Sequence, residues 1–193
     1  KSSLGSPGKL LYDAITTQNT PTIFIEHKIQ YLLKLFSQKD LTEHTLTELE
    51  ASSSYPFYKL NLRSAPKPQL SLAAYGFMAH LGMEAMLALA YDHEIFCELL
   101  VPTQLAPYAL SPLLQSVAAT GRLLTLEEGT LPLGWGAEVL ALTAEALGPK
   151  LRRAGRLAAV GSVIPAAPEL ETACLPDVAD IVAKAREMIE EHA

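Results

Sequence analysis

Between Gln69 and Glu191 the chain alternates short apolar segments with helical ones, and this alternation restricts its fold more than any other feature. Short apolar strands that are separated by helices form a largely parallel sheet with both faces covered. We therefore predict an α/β fold of three layers, in which helices lie on both faces of a mostly parallel sheet. Strands are predicted over Gln69–Tyr75, Glu94–Val101, Arg122–Leu126 and Leu157–Val160, and helices over Phe77–Tyr91, Ser111–Thr120, Trp135–Leu147 and Asp177–Glu191.

The first 68 residues lack this regular alternation. Ser6 and Pro7 are good starting residues for a helix, which is predicted to end near Thr16. Thr22–Ile25 predicts a buried strand because its residues are β-branched and aromatic. A helical stretch is expected after it, to about Phe36. Leu41–Leu49 predicts a polar helix, and the serines and prolines that follow predict an extended linker up to Pro68.

The composition excludes several classes of protein. The 193 residues carry a formal net charge of −6, and no basic stripe with interleaved aromatic residues is present, which argues against nucleic acid. No apolar run reaches the roughly 18 residues of a membrane span, and the first residues lack the apolar core of a signal peptide. A cytoplasmic protein without a membrane partner is expected. The two cysteines, Cys97 and Cys174, lack metal-ligand spacing and are predicted to be buried thiols.

The segment from Arg122 to Val139 is the candidate site, because a buried strand there leads into an acidic turn and a glycine loop. Sites in parallel sheets gather at the carboxyl ends of the strands. Glu127 and Glu128 are adjacent, so on an extended chain they point to opposite sides and cannot act as an acid–base pair. One of them could accept hydrogen bonds from amides of the loop Gly129–Gly136.

The remaining motifs do not form a catalytic set. The loop glycines lack the spacing and the Lys-Ser/Thr of a phosphate loop, and nearby carboxylates would repel an anion bound at the helix start. None of the five histidines pairs with another at helical spacing. His80 and His27 follow strands and are the two best candidates to face a site. The helix Phe77–Tyr91 is apolar nearly all round, which favours burial under a second subunit.

Five stretches in order resemble the beta chain of the thiamine-diphosphate-dependent 2-oxoacid dehydrogenases, of pyruvate and branched-chain types. They are SPGKLLYDAI with NTPTIFIEHKIQY, LSLAAYGFMAHLGMEAMLALA, ELLVPTQLAPYALSPLLQSVAATGRLLTLEEG, LGWGAEV and GSVIPAAPELETACLPDVADIVAKA. By this resemblance residues 1–36 are the tail of a pyrimidine-binding domain, 37–68 are a linker and 69–193 are a transketolase-like C-terminal domain. A transketolase or deoxyxylulose-phosphate synthase end is a weaker alternative.

The resemblance also implies what the chain lacks and what it contacts. The catalytic and cofactor-binding residues of the family lie in the preceding domain, so none is expected here. The whole enzyme would use thiamine diphosphate and Mg²⁺ to decarboxylate a 2-oxo acid and pass the acyl group to a lipoyl group. Ala14, Ile15 and Asn19 match positions that hold a structural potassium ion, although Thr17 stands where the family has an Asp.

The expected partners are an alpha subunit and a second beta subunit in a heterotetramer, together with the dihydrolipoyl acyltransferase core. Glu127, Glu128 and Trp135 are the predicted interface residues. The alternative from a different class is a stand-alone transketolase-C-like module that binds a protein or a small anion without catalysis.

Overall fold

The computed structural model describes residues 4–36, 39–49, 55–161 and 163–190. The helices are α1 (Pro7–Thr16), α2 (Met78–His93), α3 (Ser111–Thr120), α4 (Trp135–Leu147), α5 (Pro168–Thr172) and α6 (Val178–Glu190). The strands are β1 (His44–Leu49), β2 (Phe57–Leu62), β3 (Leu70–Ala74), β4 (Cys97–Pro102), β5 (Arg122–Thr130) and β6 (Arg153–Ala159). The predicted α/β alternation after residue 69 is confirmed.

The described strands form one mixed sheet in the order β1-β2-β4-β3-β5-β6. The pairs β3–β4, β3–β5 and β5–β6 are parallel, whereas β1–β2 and β2–β4 are antiparallel. Strands β3 and β4 are buried along their whole length, because helices cover both of their faces. The loops after β3 and β5 therefore extend from the buried, parallel part of the sheet.

Two apolar clusters lie on opposite faces of the sheet. The larger one joins the sheet to α2 and α6 through residues such as Met86, Leu99 and Ile181, which are each fully buried. The smaller one joins the other face to α3 and α4 through Val117 and Val139. Because α6 covers α2 within the same chain, the apolar surface of α2 does not require a second subunit to bury it.

Three local predictions for the first 68 residues are wrong. Thr22–Ile25 forms no strand, and the Ile23 side chain is 91% exposed instead of buried in the sheet. The expected helix up to Phe36 is only a 3-10 turn at Lys28–Tyr31. Leu41–Leu49 contains the strand β1 instead of a polar helix, because pairing along the whole of β2 outweighs its local helix preference.

The sheet therefore begins inside the segment expected to be a linker. Strand β1 pairs with β2 from His44 to Leu49, and β2 pairs in turn with β4. Leu60 of β2 is fully buried in the larger apolar cluster. The division of the chain into a domain tail, a linker and a C-terminal domain stays a prediction.

A candidate contact site at the carboxyl edge of the sheet

The carboxyl ends of β3 and β5 bring together side chains that are far apart in the sequence. Tyr75 follows β3 directly, and Glu127 and Glu128 lie near the end of β5. Strand β5 is longer than predicted and runs to Thr130, with a register irregularity against β6 between Leu126 and Thr130. This irregularity marks the point where the strand leaves regular pairing and presents its two carboxylates.

Glu127 caps the start of helix α4, although it lies eight residues before it in the sequence. Its Oε2 accepts a hydrogen bond from the Trp135 backbone nitrogen at 2.8 Å, and its Oε1 accepts one from the Gly136 nitrogen at 2.9 Å. A carboxylate at this end of a helix meets unpaired N–H groups and the positive end of the helix dipole. The side chain is only 1% exposed, so Glu127 serves the interior of this chain and offers no surface to another molecule.

The loop glycines are needed because this carboxylate lies so close to the backbone. A Cβ on Gly136 would meet Thr125 Oγ1 at 2.3 Å and Glu127 Oε1 at 2.9 Å. A Cβ on Gly134 would meet Glu127 Oε1 at 2.5 Å. The glycines therefore make room for Glu127, which explains the glycine loop without a bound phosphate.

Tyr75 and Trp135 close the other side of the cap. Their rings meet edge to face with centroids 5.1 Å apart. Burial raises the pKa of Tyr75 to about 12, and the Glu127 and Glu128 carboxylates add to the rise. Tyr75 is thus a neutral hydrogen-bonding group at physiological pH, and Trp135 is partly buried against it.

Glu128 points to the opposite side of β5, as the extended chain predicts. Its Oε2 lies 3.0 Å from His27 Nε2, with relative exposures of 27% for both side chains. The His27 ring stacks on Phe77 with centroids 5.5 Å apart, and Phe77 in turn contacts His80 at 5.7 Å. His27 and His80 therefore share one aromatic neighbour.

A second contact holds the same N-terminal segment. Gln30, which is 2% exposed, donates from Nε2 to the Gly76 carbonyl at 2.9 Å. Gly76 has a φ of 61° and leads from β3 into α2. Residues 27–30 are thus docked on the end of β5 by the His27–Glu128 contact, and on the segment after β3 by one ring stack and one buried hydrogen bond. Sequence reasoning missed Gln30, Tyr75 and Phe77, and only the position of Tyr75 just after a strand could have indicated one of them.

The three positions predicted for potassium lie at the exposed end of α1. Ala14 and Ile15 are in its last turn, and Asn19 follows in irregular backbone. The nearby Tyr12 and Asp13 carbonyls accept hydrogen bonds from the Thr16 and Thr17 hydroxyls. A helix end of this kind presents carbonyl oxygens and the negative end of the helix dipole, which are the ligand type that a hard cation takes.

In the part of the chain that the structure describes, this edge of the sheet has few functional groups for binding or catalysis. No group of three or more His, Cys, Asp or Glu side chains there could hold a metal ion. Glu127 is committed to helix α4, and Glu128 to His27. No described helix is long and apolar enough to cross a membrane. The arrangement is suited to docking one segment on another.

The mixed sheet of six described strands, with helices on both faces, has the fold of a transketolase-type C-terminal domain. The family model described as "Transketolase, C-terminal domain" matches residues 59–181, and the chain belongs to that family. The fold and the family resemblance expected from the sequence are confirmed.

Two known proteins show how far the similarity extends. The acetoin:2,6-dichlorophenolindophenol oxidoreductase subunit beta of Cupriavidus necator is 30% identical over 183 residues. That match takes in 94% of this chain and 50% of the relative, so the chain spans about half the length of the curated relative it matches. A split-gene transketolase, solved as an inactive beta4 tetramer, superposes with a TM-score of 0.56 over 65% of this chain and 40% of its own. At 20% identity it supports the fold alone.

Proposed function

We propose that the chain forms the C-terminal part of the beta subunit of a 2-oxoacid dehydrogenase-type oxidoreductase. The observation that carries this proposal is the alignment of nearly the whole chain with half of an oxidoreductase beta subunit. The whole enzyme would decarboxylate a 2-oxo acid on thiamine diphosphate and transfer the acyl group to a lipoyl group in the cytoplasm. This part would serve subunit assembly and partner docking.

The proposed division assigns residues 1–36 to the tail of a pyrimidine-binding domain, 37–68 to a linker and 69–193 to the C-terminal domain. The docked segment around Gln30 supports a packed seam between the first and last parts. In this division the proposed linker would contribute β1 and β2 to the sheet.

The cofactor and its Mg²⁺ are proposed to bind outside this chain. The Trp135 and Gly136 amides, which a diphosphate could otherwise use, already donate to Glu127. When bound in the whole enzyme, thiamine diphosphate would supply the carbanion stabilisation. Calorimetry of this chain with thiamine diphosphate and Mg²⁺ should show no binding, and tight binding would contradict the proposed location.

The proposed partners are an alpha subunit, a second beta subunit and a dihydrolipoyl acyltransferase core. Glu128 and Trp135 are the proposed contact residues, since both keep some exposed surface whereas Glu127 does not. Sedimentation of Glu128→Ala should show weaker association with these partners. Because Glu128 also pairs with His27, the matched control is His27→Ala. Equal weakening in both variants would mean that the docked segment, not Glu128 itself, affects association.

A potassium ion is proposed at the carbonyl end of α1, with Ala14, Ile15 and Asn19 as its ligands. Melting in equal concentrations of KCl and NaCl tests this. The proposal expects a higher melting temperature in KCl, with the difference removed in Asn19→Ala if the Asn19 side chain ligates the ion. Equal melting temperatures for the unaltered chain in the two salts would rule the ion out.

Acetoin is a second candidate substrate, because the curated relative is named for its action on acetoin. An interaction module without catalysis is the alternative from a different class. The native subunit mass separates that module from the enzyme proposal, since a mass well above 20.8 kDa favours a part of a larger subunit. Comparing acetoin with 2-oxo acids as substrates of the assembled enzyme then separates the two activities.

A further inference from the structure

The amino edge of the sheet is basic, although the chain as a whole carries a net charge of −6. Strands β3, β5 and β6 are neighbours and parallel, so their first residues lie along one edge. The segments that enter them, residues 65–70, 120–124 and 148–154, contain no Asp or Glu. We call their five cationic residues the basic edge; they are Lys67, Arg122, Lys150, Arg152 and Arg153.

Register and hydrogen bonds bring three of these arginines together. Arg122 and Arg153 are directly paired across β5 and β6, and adjacent strands are spaced by about 4.8 Å. The Arg152 guanidinium donates to the Thr120 carbonyl at 2.9 Å, at the end of α3. It lies over Gly121, where a Cβ would meet Arg152 Nε at 2.3 Å. The fold therefore holds the Arg152 guanidinium over Gly121, the residue before Arg122.

The three positive charges affect one another. Burial lowers the pKa of Arg122 below its usual value, and the charges of Arg152 and Arg153 lower it further. An arginine side chain remains protonated in proteins, so this repulsion is not relieved by loss of a proton. It would be relieved by a bound anion.

Two carboxylates of the described residues lie near this edge of the sheet. Glu187 on α6 lies 3.7 Å from Arg153 and is also bonded to Lys184. Glu98 at the start of β4 is paired with Lys59 and accepts a hydrogen bond from Ser116. Within the described ranges, neither Arg122 nor Arg152 forms an ion pair with a carboxylate, which leaves the two arginines as an excess of positive charge.

We propose that the basic edge binds a phosphate-type oxyanion of a small molecule, with Arg122 and Arg152 as its principal ligands. Guanidinium groups match phosphate oxygens with paired hydrogen bonds, and each has five N–H donors of which the fold uses few here. The site lies at the opposite edge of the sheet from Glu127 and Glu128. It does not depend on the proposed enzyme function.

Calorimetric titration of the whole chain with inorganic pyrophosphate at low ionic strength tests this site. Pyrophosphate should bind, and affinity should fall as salt is added. Arg122→Gln should weaken binding by roughly tenfold or more, the loss expected for a charge-assisted hydrogen bond. Arg122 is the better position to change, because Arg152 also donates a hydrogen bond to the end of α3. Circular dichroism would verify that Arg122→Gln is folded.

The matched control is Arg156→Gln, which makes the same charge change in the middle of β6, where Arg156 donates to the Leu131 carbonyl. Its affinity for pyrophosphate should equal that of the unaltered chain. No heat of binding in the unaltered chain, or equal weakening in the two variants, would overturn the proposal.

Discussion

His27 Nε2 lies 3.0 Å from Glu128 Oε2, so a side-chain contact joins two residues that are 101 positions apart. The pair fixes the irregular segment before the 3-10 turn on the end of β5. Its neighbours are the Phe77 ring and the buried Gln30 side chain, which bind the same segment to the loop after β3. The carboxyl edge of this domain is therefore built partly from the first 36 residues.

Removing either partner of this pair should loosen the docked segment. His27→Ala and Glu128→Ala are each expected to speed hydrogen exchange of the Gln30 amide, which bonds to the His27 carbonyl. The double variant should show a coupling of about 0.2–1 kcal/mol, the usual worth of a partly exposed pair. Glu84→Ala, which removes the exposed partner of His80, is the control. Additive effects would show that the two side chains act separately.

Glu127→Gln should destabilise the domain by about 1–3 kcal/mol, because a buried carboxylate that accepts two backbone hydrogen bonds is replaced by an amide. Urea unfolding measures this change. Glu138→Gln is the matched control, since Glu138 lies in the first turn of α4, the turn that Glu127 caps, but is exposed. The loss of stability in Glu138→Gln should stay below about 1 kcal/mol. Equal losses would mean that Glu127 acts only through the helix dipole.

Gly136→Ala should also destabilise the domain, by about 1–3 kcal/mol, because the new methyl group meets Thr125 and Glu127 in a packed interior. The control is Gly8→Ala in α1, where nothing lies within 4 Å of the added carbon. Alanine favours a helix over glycine, so this variant should be as stable as the unaltered chain or slightly more stable. A harmless Gly136→Ala would refute the account of the glycine loop.

Stability should depend on pH through His44, which is buried at the start of β1. Burial lowers its pKa below the usual 6.5, and a hydrogen bond with the Met83 carbonyl opposes the shift. The unfolded chain therefore binds a proton at His44 more readily than the folded chain does. The contribution of His44 to the free energy of unfolding is present above pH 6.5, and it is lost as the pH falls through the lowered pKa of the folded state.

Urea unfolding between pH 7.5 and 5 measures this dependence. His44→Gln should flatten the profile. An unchanged slope in His44→Gln would assign the pH dependence to other groups.

The local sequence was sufficient where its signals agreed with one another. Trp135–Leu147 was predicted with its observed bounds, because a glycine precedes it, another glycine ends it and an apolar face runs between them. The opposite directions of Glu127 and Glu128 followed from the extended backbone alone, since successive side chains on a strand alternate. The expectation that one of them would bond to the loop amides is confirmed for Glu127.

The local sequence failed where a strand depends on its partner. The residues around Leu46 predict a polar helix, yet pairing with β2 makes them a strand. Thr22–Ile25 has strand-forming residues but is not part of a strand. The sequence by itself determined the alternation of helices and strands after residue 69, because hydrophobic periodicity and glycine stops act over a few residues. Only the tertiary structure decided which side chains meet at the sheet edges, such as His27 with Glu128 and Arg122 with Arg153, because strand order and register set contacts between distant residues.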